Sequence, residues 1–274
     1  MRLYDAAKRF NTTTASDAYG TDTFLCQYEP MSFNKIDGVA IQKRSISVEP
    51  TVTIPPRGAI TIEGKTYLVG HGAPDFWNDE VIRTTLIIQG ADGLASLNSI
   101  ANELAGTAPT TAYAALVFSK YMPDADNNSK YPPQYQVFLS GTESAPSDSL
   151  IKLNSRWFLV KQSYLSTSGL RVALANELET PTFETISFGS KTYDPITDTS
   201  GTSSSTVKIL RVKWSEHFTY LSQASENYQR GDQQIFVPKT VTPKPSDTLT
   251  LSDGVWRILS VQNEATWSCH ARRA

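Results

Sequence analysis

Cysteine is scarce in this chain. Two thiols, Cys26 and Cys269, stand near opposite ends of 274 residues, too few for a disulfide scaffold and without the paired spacing of a zinc site. Histidine is equally thin, with only His71, His217 and His270. None has metal-ligand spacing or lies beside a carboxylate run, so each reads as a satisfied or solvent-facing ring. An excess of one charge is missing too, since 25 Lys+Arg against 27 Asp+Glu leave a formal −2. That balance disfavours a partner held mainly by charge, such as a generic polyanion. No window approaches the roughly 18 apolar residues of a membrane span, and charge interrupts residues 1–10 where a signal peptide would be greasy. The expectation is a soluble, cytoplasmically made protein without membrane contact. Nucleophile elbow, Walker loop, dinucleotide fingerprint and zinc-protease helix are all missing. The sequence is therefore read as that of a non-enzyme with no metal and no cofactor.

What the sequence has is β character. Apolar residues make up 39%, and Ser and Thr, which suit strands, turns and wet surfaces, are abundant. Sliding the chain against itself brings up one ten-residue pattern three times without a gap. Residues 60–69, 151–160 and 249–258 each read apolar, polar, apolar, then turn residues, then aromatic, any residue, β-branched. Alternation places Ile60, Ile62, Tyr67 and Val69 on one face of a two-stranded hairpin. Ile151, Leu153, Phe158 and Val160 do the same in the second copy, and Leu249, Leu251, Trp256 and Ile258 in the third. The pairs Glu63-Gly64, Asn154-Ser155 and Asp253-Gly254 are assigned as the tight turns. An isolated hairpin is marginal in water, so each must belong to a larger sheet or barrel.

The fold class that follows is mainly β, with tandem small β-barrel or sandwich modules, one or two short helices and long loops. Residues 1–37 are read as an N-terminal arm, because Leu3, Ala6, Ala7 and Phe10 fall near helical spacing. Residues 38–122 form a first β module, with a helix near 91–105 signalled by Leu94, Leu97, Ile100, Ala101 and Leu104 and capped by Gly106. Residues 123–274 form the second β module or modules. They begin with a turn-rich acidic stretch at 123–133, include a helix near 218–228, and carry a long loop at 189–206 too poor in large apolar groups to offset its ordering entropy by burial. Carboxylates gather in such loops, whereas Trp77, Trp157, Trp214, Trp256 and Trp267 sit in strand-like runs, where core packing explains them better than a sugar cleft does.

Three segments of the last third carry a resemblance: Tyr193-Asp194-Pro195-Ile196-Thr197, then Gly231-Asp232-Gln233-Gln234-Ile235-Phe236-Val237-Pro238, and the hairpin from Asp247 to Val261. Together they resemble the small head-closure or head-to-tail joining proteins of tailed bacteriophages, and the stretch from Ser45 to Arg83 resembles them as well. The resemblance implies a structural virion protein of the neck that assembles as a homo-oligomeric ring, on the order of six or twelve copies. It implies portal or adaptor and tail proteins as partners, packaged DNA near the loops, and no catalysis. The candidate partner-binding loop is then Tyr193, Asp194, Pro195, Asp198 and Gly201. This chain is longer than the usual member and repeats its module, which leaves adaptor, stopper, gateway and collar positions open. The competing reading is a capsid decoration protein or a carbohydrate-binding β-sandwich module.

Overall fold

The hairpin written three times in the sequence is one structural element used three times. The computed structural model describes residues 12–36, 39–118, 134–178, 181–194, 199–213 and 231–274, and these form three consecutive six-stranded antiparallel units. The first unit contains β1 (Thr12–Asp17), β2 (Thr23–Ile36), β3 (Val39–Val48), β4 (Ala59–Ile62), β5 (Lys65–Trp77) and β6 (Glu80–Gly90). The second contains β7 (Gly93–Ser99), the helix α1 (Ile100–Ala105), β8 (Thr110–Phe118), β9 (Gln134–Leu139), β10 (Ser149–Leu153), β11 (Arg156–Leu165) and β12 (Arg171–Leu178). The third contains β13 (Thr182–Asp194), β14 (Thr199–Lys213), β15 (Gln233–Val237), β16 (Thr248–Leu251), β17 (Gly254–Asn263) and β18 (Trp267–Arg273).

Strand order is the same in all three. Numbering strands within a unit, neighbours run first, second, third, sixth, fifth, fourth. The first two units close into barrels by pairing the first strand with the fourth, through Ala15↔Ile62 and Leu97↔Ile151. The repeated hairpin is the fourth–fifth strand pair every time, in matching register: Ile62↔Lys65, Leu153↔Arg156 and Leu251↔Gly254. Even the irregularity that follows is shared. The ladder slips just after Val69, Val160 and Ile258, which occupy one position of the repeat. Such a slip bends the strand and sharpens its twist, as closing a small barrel requires.

The twelve apolar hairpin residues all line the cores. Ile60, Ile62, Tyr67 and Val69 are buried in the first unit, Ile151, Leu153, Phe158 and Val160 in the second, and Leu249, Leu251, Trp256 and Ile258 in the third. In the first two copies the turn residues Glu63-Gly64 and Asn154-Ser155 all have positive φ, 50°, 75°, 49° and 65°, the handedness that matches strand twist in a two-residue hairpin. The third turn departs from expectation. It is formed by Ser252-Asp253, and Gly254 begins the return strand at φ 136°.

Several expectations are corrected. Residues 12–36 are not an arm, because β1 and β2 complete the first barrel and bury Ala15 and Cys26; residues 1–11, with the helical spacing, lie outside the described residues. The 38–122 module is divided, since the first barrel ends at Gly90 and the second begins at Gly93. The stretch 91–105 is helical only over Ile100–Ala105. Ahead of it, Ala95 and Leu97 point into the barrel while Leu94 is exposed, so a period of two wins over the helical reading where a neighbouring strand offers hydrogen bonds. Ser99 caps the helix by accepting from the Asn102 N–H, and Gly106 ends it at φ 76°. The stretch 123–274 holds the rest of the second barrel and all of the third unit. The acidic stretch at 123–133, Trp214 and the helix expected near 218–228 fall outside the described residues.

The units meet through one repeated contact. With Tyr67 and Val69 facing in, Leu68 faces out, and it packs with Ala115, Phe138, Leu170 and Val172 of the second barrel. One repeat later, Leu159 faces out, and with Leu150 and the α1 residues Ile100 and Leu104 it packs against Leu210, Val212 and Phe236 of the third unit. Polar ties secure both junctions. At the first, the His71 N–H donates to the Ser168 carbonyl at 2.6 Å, and Arg57 pairs with Glu143 at 3.0 Å while lying 3.9 Å from the Tyr19 ring centroid. At the second, Lys208 Nζ donates to the Glu103 carbonyl at 2.9 Å.

Candidate functional site

The stretch expected to be a long loop at 189–206 is a ribbon. Thirteen consecutive pairs join β13 to β14, from Thr182↔Arg211 to Asp194↔Thr199, whereas β14 reaches β15 only over residues 210–213. The outer half therefore pairs with itself alone among the described residues. Low apolar content had argued against order, yet a hairpin ladder satisfies the backbone without burying side chains, and Ser/Thr-rich sequence fits a pleated strand. Of the five candidate residues, Tyr193 pairs with Ser200, Asp194 with Thr199, and Gly201 with Thr192. The ribbon thus brings Tyr193, Asp194 and Gly201 together near its tip. Pro195 and Asp198 lie outside the described residues.

A second ribbon leaves the first barrel. Beyond Gly72↔Leu86, β5 and β6 continue together to a turn at Asn78-Asp79, whose φ values are 47° and 63°. Its end exposes Phe76, 62% accessible, and Val81. Both are large apolar groups left in water, and they are cross-strand partners. Arg83 Nε pairs with Asp75 at 2.5 Å, and Thr85 Oγ1 donates to the same carboxylate at 3.1 Å, bracing the ribbon's base.

The third unit differs from the others where its first strand meets its fourth. No ladder joins β13 to β16 among the described residues. Side chains bridge the seam instead. Glu184 accepts from the Ser252 N–H at 3.0 Å and pairs with Arg211 at 2.9 Å, while Arg211 Nη1 and Trp256 Nε1 donate to Asp253 Oδ1 at 2.6 and 2.9 Å.

One buried polar cluster escaped the sequence reading. Asp232, 1% exposed, accepts from Arg272 Nε and Nη2 at 2.8 and 2.9 Å and lies 2.7 Å from His270 Nε2. Its members are far apart along the chain, and the available signal was the i, i+2 spacing of His270 and Arg272, which puts both on the outward side of β18. Burial is the largest influence on His270 and holds its pKa below the ordinary 6.5, against the pull of the Asp232 carboxylate. The unfolded chain therefore binds protons more readily than the folded one as pH falls past that value. Stability is expected to decline as pH drops below about 6.5, and His270→Gln should flatten that part of a melting-temperature profile. Of the other histidines, His71 is exposed and serves the first junction through its backbone, and His217 lies outside the described residues.

Between the first two barrels lies an open cleft of about 580 Å³, lined in part by Arg44, Lys65, Tyr67, Gln89, Asp92 and Tyr113. Three of its polar groups are engaged locally: Arg44 Nη1 donates to the Tyr67 hydroxyl at 3.0 Å, and Asp92 Oδ2 accepts from the Leu116 N–H at 2.6 Å. No cluster of three His, Cys, Asp or Glu able to hold a metal occurs among the described residues.

Both cysteines are unpaired and fully buried in different units. Burial pushes the thiols up to about 11 for Cys26 and about 12 for Cys269. Since the thiolate is the reactive form, neither is expected to react with a soluble disulfide reagent at neutral pH until the protein is unfolded. Thiol titration with and without denaturant checks this. Comparison with protein families, curated sequences and solved structures finds no match for this chain.

Proposed function

We propose that this protein is a structural virion component of the tailed-bacteriophage neck, a head-completion or head-to-tail connector that acts by oligomeric assembly rather than catalysis. The observation that carries the reading is the projection of self-paired ribbons from six-stranded antiparallel units. The β13–β14 ribbon pairs with itself over its outer half, and the β5–β6 ribbon exposes Phe76 and Val81 at its end. A ribbon whose outer half pairs only with itself among the described residues is a template for strand addition by another chain, and a six-stranded sheet supplies its base. Portal or adaptor proteins on one side and tail proteins on the other are the partners in this reading, with packaged DNA near the ribbon tips. The resemblance of residues 45–83 and 193–261 to head-closure proteins supplies the setting.

The direct test is copy number in purified particles. On the order of six or twelve chains per virion, placed at the neck by imaging, fits a ring; hundreds per capsid would make it a decoration protein and overturn the neck assignment. A second measurement addresses the ribbon. Removing residues 191–202 and closing β13 on β14 should change melting temperature little, because the described residues of that stretch pair only with one another and the ladder to β15 begins at Leu210. The same deletion should abolish particle completion. Normal particles from the shortened chain would remove the ribbon from assembly.

A further inference from the structure

The hairpin repeat also aligns one corner of each unit, beside the turn. Lys65, Arg156 and Gly254 share a position on the fifth strand. Across the ladder to the sixth strand, Gly90, Glu177 and Arg273 pair with Tyr67, Phe158 and Trp256, which again share a position. Every corner therefore holds one cation. In the second unit Arg156 makes a two-bond pair with Glu177, through Nε and Nη2 at 2.6 Å each. In the third, Arg273 Nη2 donates to the Asp253 carbonyl at 2.6 Å. In the first unit the residue at the Glu177 position is Gly90, and Lys65 has no hydrogen-bond or ion-pair partner among the described residues. A Cβ placed on Gly90 would meet nothing within 4 Å. The first unit thus keeps the cation and leaves the place of its carboxylate open.

That corner faces the cleft between the first two barrels, whose volume of about 580 Å³ lies in the range of small-molecule sites. Lys65, Gln89, Asp92 and Tyr113 line it together. All four reach solvent, Lys65 and Asp92 being exposed and Gln89 and Tyr113 half-buried. The Gln89 amide and the Tyr113 hydroxyl have no hydrogen-bond partner among the described residues, and Asp92 commits only Oδ2, to the Leu116 N–H. Tyr113 is braced by Tyr19, with ring centroids 5.2 Å apart and the Tyr113 N–H donating to the Tyr19 hydroxyl at 2.8 Å. Arg44, already bonded to Tyr67, adds positive charge to the cleft without having to touch a ligand.

This set of groups selects among anions. A cation facing the place of a missing carboxylate suits a ligand that brings one, because a charge-assisted bond is stronger than a neutral one. Asp92 works against a phosphate or a nucleic-acid strand, since like charges in one cleft repel. The same carboxylate favours hydroxyl groups, which can donate to its remaining oxygen. The Gln89 amide both donates and accepts, and a tyrosine ring offers an apolar body with a polar tip. A sugar that carries a carboxylate meets all four requirements. We propose that the cleft binds an acidic carbohydrate, its carboxylate on Lys65, its hydroxyls on Asp92 and Gln89 and its ring against Tyr113. Nothing in the site depends on ring assembly, so its failure leaves the neck reading standing and the reverse holds too.

The test titrates the full chain with D-glucuronate and N-acetylneuraminate, two sugars with a carboxylate, and with D-glucose, acetate and inorganic phosphate, followed by calorimetry and by saturation-transfer NMR. At least one acidic sugar is expected to bind, with D-glucose, acetate and phosphate each weaker by about tenfold or more, the effect of losing a charge-assisted hydrogen bond or its neutral companions. Lys65→Met removes the charge and keeps the stem. Gly90→Glu restores the carboxylate that Glu177 supplies one unit later, and so competes with the ligand for Lys65. Each is expected to weaken the acidic sugar by about tenfold or more, as loss of a bond to a charged group does. Melting temperature confirms that the variants keep their fold, and Lys65→Met, at an exposed position beside the turn, decides alone if Gly90→Glu does not. Silence from both acidic sugars overturns the proposal. So does D-glucose binding as tightly as they do, or binding that Lys65→Met leaves unchanged. Acetate or phosphate binding as tightly as the acidic sugars would make this a plain anion site and overturn the carbohydrate assignment.

Discussion

Replacing Trp256 with alanine is expected to cost about 3–5 kcal/mol of stability in the third unit, the range for deleting a large aromatic from a packed core. The ring is 3% exposed and sits among Leu249, Leu251 and Ile258 on the core side of the repeated hairpin. Its loss does more than open a cavity. The indole N–H donates to Asp253, which also receives Arg211 from the strand next to the seam, so truncation loosens the side-chain bridge that stands where the other units have a β ladder. Hydrogen exchange at the β15–β18 amides is the measurement, because it reads one unit's opening separately from its neighbours'. Exchange in the first barrel should stay as it was. An unchanged third unit would mean that the hairpin is not the spine of its core.

Asp232→Ala is expected to be the second large effect, about 3 kcal/mol. Breaking a buried ion pair by removing one partner commonly costs 3–5 kcal/mol, and two features here reduce it: Arg272 is 30% exposed and can turn to water, and His270 can stay neutral. What remains is the cost of leaving buried donors without their acceptor. Arg272→Lys should lose less, because an ammonium can keep one of the two bonds that the guanidinium fork makes to Asp232. A urea titration of the two variants gives the order directly. Equal and small shifts would show the cluster to be ornamental.

The sequence carried the repeated hairpin, its inward residues and the β class, because all three depend on a period-two pattern that survives without knowledge of neighbours. It did not carry the other strands of each unit equally well. β1 holds Thr12, Thr13 and Thr14 with only Ala15 buried, so a strand whose inward side chain is small leaves hardly any hydrophobic signature. β7 misled for the opposite reason, since Leu94 and Leu97 fall at helical spacing although only Leu97 enters the core. The 189–206 stretch was misjudged because apolar content measures burial, whereas a ribbon is held by backbone bonds. Of the candidate site, the segment was legible and its conformation was not. The junction faces were missed because Leu68 and Leu159 look like ordinary members of a greasy strand until the partner surface is seen.

The common strand order also has a consequence for how the chain is made. Every ladder of the first unit lies between residues 12 and 90, and every ladder of the second between residues 93 and 178. A polypeptide emerging from the ribosome can complete one barrel before the next has any strand to offer, as domains folding in turn do. Each finished unit then presents its Leu68 or Leu159 side as a template for its successor. Only two residues, Ala91 and Asp92, separate β6 from β7, so the tether is too short for the newcomer to wander far before docking. Biosynthesis on this plan is itself a sequence of head-to-tail additions, carried out on a covalent leash.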